Sequence, residues 1–147
     1  MSVRALDAAE VLTLAAGRAL REAGLGWRPT AGDRFVLADR DMDAEVFVVS
    51  DMVADVHEFP SGPVIGFNGT VEWALDSVGT EQAVWLPAED QLRRLLGGTF
   101  DRLQRHGDGW SVTVRLPGDD TDTVLTSLTA AEAYAEALLL LLHRARD

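Results

Sequence analysis

The chain has 147 residues, 47% of them hydrophobic and 25% charged, values that suit one globular domain and not a disordered protein. It has no cysteine, which excludes a disulfide framework, a thiol nucleophile and a thiolate metal site. Its net charge is −11 and all 13 basic side chains are arginine, so it lacks the positive footprint of a phosphate-backbone binder, and the missing lysine excludes a Schiff base or P-loop.

At the N-terminus, Asp7, Glu10 and Arg18 interrupt any secretory apolar core. The longest apolar run, Ala137–Leu142, is far short of the ~20 residues that span a bilayer. A cytoplasmic location, with neither membrane nor nucleic acid as partner, is expected. Leu6 to Ala23 reads as a helix: Asp7 and Glu10 resemble a capping box, and Val11, Leu12, Ala15, Ala19 and Ala23 recur at helical spacing. Thr13 looks outward. Gly24 supplies a left-handed stop on which Leu25 can fold back, and Trp27 plugs the end of the core.

Pro29–Gly32 is a turn and 33–38 alternates as a strand. The run from Asp39 to Glu45 opens Asp-x-Asp-x-Asp, but Ala44 and Ser50 stand where a calcium loop needs its glycine and its bidentate glutamate, so it reads as a hairpin loop. Strands are expected at 45–50 and 52–59. Alternation puts Asp51, Asp55 and His57 on one strand face, a set that suits either a metal ion or a polar outer surface. Residues 60–63 turn the chain into a strand at 64–67. Asn68-Gly69 is a type I′ hairpin signal, and 70–76 alternates, with Val71, Trp73 and Leu75 opposite Thr70, Glu72 and Asp76. Ser77–Gly79 breaks the pattern before a short strand at 83–86.

Pro87, Glu89 and Asp90 open a middle helix, with Leu92, Leu95 and Leu96 as its buried stripe and Gly97-Gly98 as its end. A strand at 100–105, a turn at 106–109, a strand at 110–116, an acidic loop at 117–122 and a strand at 123–128 follow. Arg93, Arg94, Arg102 and Arg105 form the one close basic group and read as a solvated face. Thr129 and Glu132 form a second capping box, opening a helix to about Arg144. Leu138–Leu142 cover every side of that helix, which predicts full burial or a second subunit against it.

Short links between alternating strands predict an α+β fold, mainly an antiparallel sheet of about six to eight strands with N-terminal, middle and C-terminal helices, in a single domain over 1–147. No serine-nucleophile elbow, zinc-protease helix motif, P-loop or dinucleotide fingerprint is present, and no cofactor is expected. His57, His106 and His143 are never paired at ligand spacing. The polar candidates are Asn68, Glu72 and Asp76. The aromatic ones are Trp73, Trp85 and Trp110, which read as core or as a ligand-pocket lining.

The segment VVSDMVADVHEFPSGPVIGFNGTVEWALDSV, with VWLPAEDQLRRLLG, WSVTVRL and TAAEAYAEALLLLL, resembles a family of small uncharacterised actinobacterial proteins, some of which carry a pilus-assembly label. The WLPAEDQL piece with the AEAY helix also resembles small prophage-encoded proteins. Neither resemblance brings a catalytic residue. The reading these observations favour is a non-enzymatic protein-binding or accessory module, with a homodimer formed through the C-terminal helix. The alternatives are a small-molecule-binding domain with a Trp-lined pocket, and a metal-dependent hydrolase using Asp51, Asp55 and His57.

Overall fold

In a computed structural model, residues 11–37, 46–49 and 83–146 are described in full, and 2–3, 56–59, 62–65 and 78–79 as backbone strands. The elements are β1 (Ser2–Val3), α1 (Leu14–Glu22), β2 (Arg34–Leu37), β3 (Phe47–Val48), β4 (Val56–Phe59), β5 (Gly62–Ile65), β6 (Val78–Gly79), β7 (Ala83–Leu86), α2 (Glu89–Leu96), β8 (Phe100–His106), β9 (Gly109–Val114), β10 (Thr123–Ser127) and α3 (Ala130–Arg146). They form two compact units: Met1–Leu6 with Gly26–Leu86, and Asp7–Leu25 with Pro87–Asp147.

The α+β class and the antiparallel pairing are as expected. The strands, however, do not form one sheet of six to eight. Among the described residues they make a four-stranded sheet ordered β1-β3-β2-β7 and two three-stranded sheets, β4-β5-β6 and β10-β9-β8.

In the first unit, the register sets Phe35 opposite both Phe47 and Trp85. This rung of aromatics is closed by Trp27, 5.5 Å from Phe35 and stacked at 6.3 Å on Trp85. Trp27, expected to plug the end of the core, packs half-buried against this cluster. Each ring pair contributes about 0.5–1.5 kcal/mol beyond area burial. Asp33, buried at the start of β2, accepts from Trp27 Nε1 at 2.9 Å and from the Thr30 N–H at 3.0 Å, so the indole is fixed at its polar end as well. In the separate β4-β5-β6 sheet, Phe59 pairs with Gly62, so the strand starts earlier than 64. Val78–Gly79, expected as a break, pairs with Val64 and Ile65.

The second unit is built on α3. Ala131, Ala133, Ala135 and Ala137 are buried, and these small side chains let α1, α2, β9 and β10 all lie against the helix. Leu138 is buried, whereas Leu139–Leu142 are half-buried. Val112 and Val114 point from the central strand β9 into this core, with Leu92 and Leu96 from α2 and Leu20 from α1. Each such side chain contributes about 1.5–3 kcal/mol.

Helix α1 starts at Leu14, not Leu6. Thr13 caps it by accepting from the Ala16 N–H at 3.2 Å, which puts the expected outward-facing Thr13 at the cap position. Its other end is as read from the sequence. Gly24 takes φ +104°, its N–H donates to Arg21 O and that of Leu25 to Leu20 O, both at 3.0 Å, forming a Schellman motif. The box at Thr129 and Glu132 forms only in part. Thr129 Oγ1 accepts from the Glu132 N–H at 3.1 Å, but the Glu132 carboxylate accepts from the Thr13 N–H at 2.9 Å. At the far end Arg146 donates to Glu22 O at 3.2 Å. These two links join start to start and end to end, so α1 and α3 run in the same direction.

Gly109 opens β9 where a Cβ would lie 2.3 Å from the Ser127 carbonyl oxygen, a backbone atom that cannot step aside. Gly109→Ala is expected to destabilise the fold by roughly 1–3 kcal/mol in urea unfolding, against a shift within about 0.5 kcal/mol for Gly98→Ala, whose Cβ would meet open space.

Candidate functional site

Helix α2 carries its apolar residues at one spacing and its charges at another. With Leu92 and Leu96 turned inward, Glu89, Asp90, Arg93 and Arg94 lie along the solvent side. The Gln91 side chain accepts from the Ala88 N–H at 2.8 Å, and Gly97, at φ +58°, ends the helix and lets a 3₁₀ turn lead into β8. This brings Phe100 beside α3, its ring 5.7 Å from Tyr134.

Between these elements lies an open groove of about 850 Å³ lined by Glu89, Asp90, Arg93, Arg94, Gly97, Phe100 and Tyr134. The Arg93 guanidinium sits 4.7 Å over the Phe100 ring, a cation–π arrangement. Arg94 is paired with Asp90 at 2.9 Å, both exposed, which is an i,i+4 contact of about 0.3–0.5 kcal/mol. The Tyr134 side chain is buried. Burial pushes its phenol above the ordinary 10.0; Arg93 draws it down and Glu89 raises it. Such a groove can hold an aromatic or charged side chain between rings and ions. It sets no nucleophile beside a base.

The arginines expected to be a solvated face are all exposed, and each also has a partner. Arg93 lies on Phe100, Arg94 on Asp90, Arg102 on Asp101 and Gln104, and Arg105 over the Trp110 ring at 4.9 Å. At the loop before β10, Arg144 pairs with Asp119 and Arg115 with Asp122, both at 2.9 Å. The hydrogen bond from Arg144 holds the Asp119 carboxyl below its usual 3.8.

Of the sequence candidates, Asn68, Glu72, Trp73, Asp76, Asp51 and Asp55 lie outside the described residues, as do the Asp39–Glu45 run and Asn68-Gly69. His57 is on β4 opposite Val64. Trp85 is in the first unit's aromatic cluster and Trp110 on β9 of the second, so the two belong to different units. Trp85 Nε1 is buried with no hydrogen-bond partner among the described residues. Among those residues no group of three His, Asp or Glu is placed to hold a metal ion, and no helix is long and apolar enough to cross a membrane. No protein-family model, curated protein or solved structure matches the chain.

The groove itself was not visible in the sequence. Its residues come from 89–100 and from 134, and the signal that existed, Pro87 and two acids opening a helix, spoke only of helix formation.

The chain has one tyrosine, so its ionisation can be followed alone. Absorbance titration is expected to place the phenol midpoint above 10.0. Arg93→Met should move that midpoint further up and Glu89→Gln should move it down. The opposite order would show that these side chains do not face the phenol.

Proposed function

We propose that this chain is a non-enzymatic protein-binding or accessory module of the cytoplasm that also associates with itself. Membership of the small actinobacterial family its segments resemble belongs to the same reading. The observation that carries it is the α2–β8–α3 groove, where an arginine, a phenylalanine and a buried tyrosine converge on open space. Tyr and Arg are the side chains that dominate binding energy at protein interfaces. Within the groove Asp90 is held by Arg94, but the chain's net charge is −11, so a basic partner is favoured by the chain as a whole and should associate faster at low salt.

Selection from a peptide-display library on the full chain is expected to enrich a basic consensus. Its affinity should fall about tenfold or more with Glu89→Lys or Arg93→Ala, each at an exposed position. Absence of any consensus, or binding unchanged by both substitutions while the circular dichroism is preserved, would count against the groove.

A second reading is a small-molecule site at the Trp27–Trp85 stack. It is supported by the buried Trp85 Nε1, a donor with no partner among the described residues. Tryptophan emission is then expected to shift with a ligand from a metabolite panel and to lose that response in Trp85→Phe. A flat response across the panel would sink it.

A further inference from the structure

The sheet of the second unit has two edges, and they are built differently. Strand β8 carries Asp101, Arg102, Arg105 and His106 and shifts register between Phe100 and Arg102. Charges and irregular pairing of this kind keep an edge from joining another strand. Strand β10 has neither. From Thr123 to Ser127 it reads Thr-Val-Leu-Thr-Ser, with no charge, glycine or proline, and it pairs with β9 without a break. Among the described residues β9 is its one neighbour, and Val124 is 57% exposed. An uncharged, β-branched, regular edge is a template for strand addition.

We infer that β10 is the self-association interface of this protein, pairing antiparallel with β10 of a second copy across a two-fold axis at Leu125. This rests on the self-association reading above and gives it a location. A two-fold axis perpendicular to the sheet keeps each side chain on its own face, so a residue can oppose itself or one an even number of positions away. Centred on Leu125, it sets Thr123 against Ser127, Val124 against Thr126 and Leu125 against its own copy. Every rung is then a hydroxyl pair, a β-branched pair or an aliphatic pair, all of them favourable across strands.

Charge favours the same occupant. Asp119, Asp120 and Asp122 precede the strand. Antiparallel pairing places the two acidic stretches at opposite ends of a five-residue strand, about 17 Å apart and beyond the ~10 Å screening length. Parallel pairing would superimpose them. A basic peptide would find Asp119 and Asp122 already held by Arg144 and Arg115. The product is a six-stranded sheet, β8-β9-β10 continued through its copy, with the charged β8 strands at both outer edges.

The test uses the full chain in sedimentation equilibrium, with circular dichroism as a check on folding. Val124 and Thr126 are both exposed, so charges there leave the core alone. Wild type is expected to dimerise. In Val124→Lys/Thr126→Lys, like charges meet on the two rungs flanking the axis, and the dissociation constant should rise by about tenfold or more. In Val124→Lys/Thr126→Glu, each lysine meets a glutamate of the other copy and the dimer should persist. A wild-type monomer across the accessible concentrations would overturn self-association altogether. A wild-type dimer that both variants retain would overturn the β10 interface while leaving self-association standing elsewhere, as on Leu139–Leu142. Equal loss in both variants would overturn the register.

Discussion

The second unit depends on the backbone of α3 lying close to everything around it. Four alanines at 131, 133, 135 and 137 are buried, and their small volume brings α1, α2 and the β9–β10 surface within packing range of one helix. The larger contribution to stability then comes from neighbours that fill the space, Leu20, Leu92, Leu96, Val112 and Val114, at about 1.5–3 kcal/mol each. The links from Glu132 to Thr13 and from Arg146 to Glu22 contribute less, about 0.5–1.5 kcal/mol apiece, but they set direction. Apolar packing alone would tolerate either orientation of α1.

The first unit solves the same problem with large rings. Phe47, Phe35 and Trp85 meet across three strands, and Trp27 closes the cluster from outside the sheet. The unit holds four arginines against eleven acids, whereas the second holds nine against thirteen. Negative charge is therefore concentrated in the aromatic-cored unit. The α3-cored unit, closer to balance, has its arginines committed to nearby acids and rings, Arg93 and Arg105 lying on aromatic faces. Such a distribution suits attraction of a basic partner by the chain as a whole and recognition by a groove whose charges are locally matched.

The groove and the β10 edge are consequences of how α2, β8 and β10 leave that core. Gly97 turns the chain sharply enough for Phe100 to reach Tyr134, so groove and helix end are one construction. The edge is left open because β9, in the middle, has strand partners on both sides, while β10 has β9 alone among the described residues.

What the amino-acid sequence determined by itself was local. Alternation found β2 and β9, and short strands were read at β7 and β10; Gly24 with Leu25 foretold a Schellman end; Thr129 marked the start of α3. These signals act within about six residues, the range over which backbone hydrogen bonds and side-chain periodicity are decided. Tertiary structure decided the rest. It set the start of α1 at Leu14, with Thr13 as the cap and a carboxylate 119 residues away accepting the Thr13 N–H in place of closing its own box. It divided the strands among three sheets, two of them built from consecutive strands and the third from the distant pairs β1–β3 and β2–β7 as well as β2–β3. It assembled Arg93, Phe100 and Tyr134 into one groove, because a helix end and a strand start converge on a helix whose sequence position carries no trace of them.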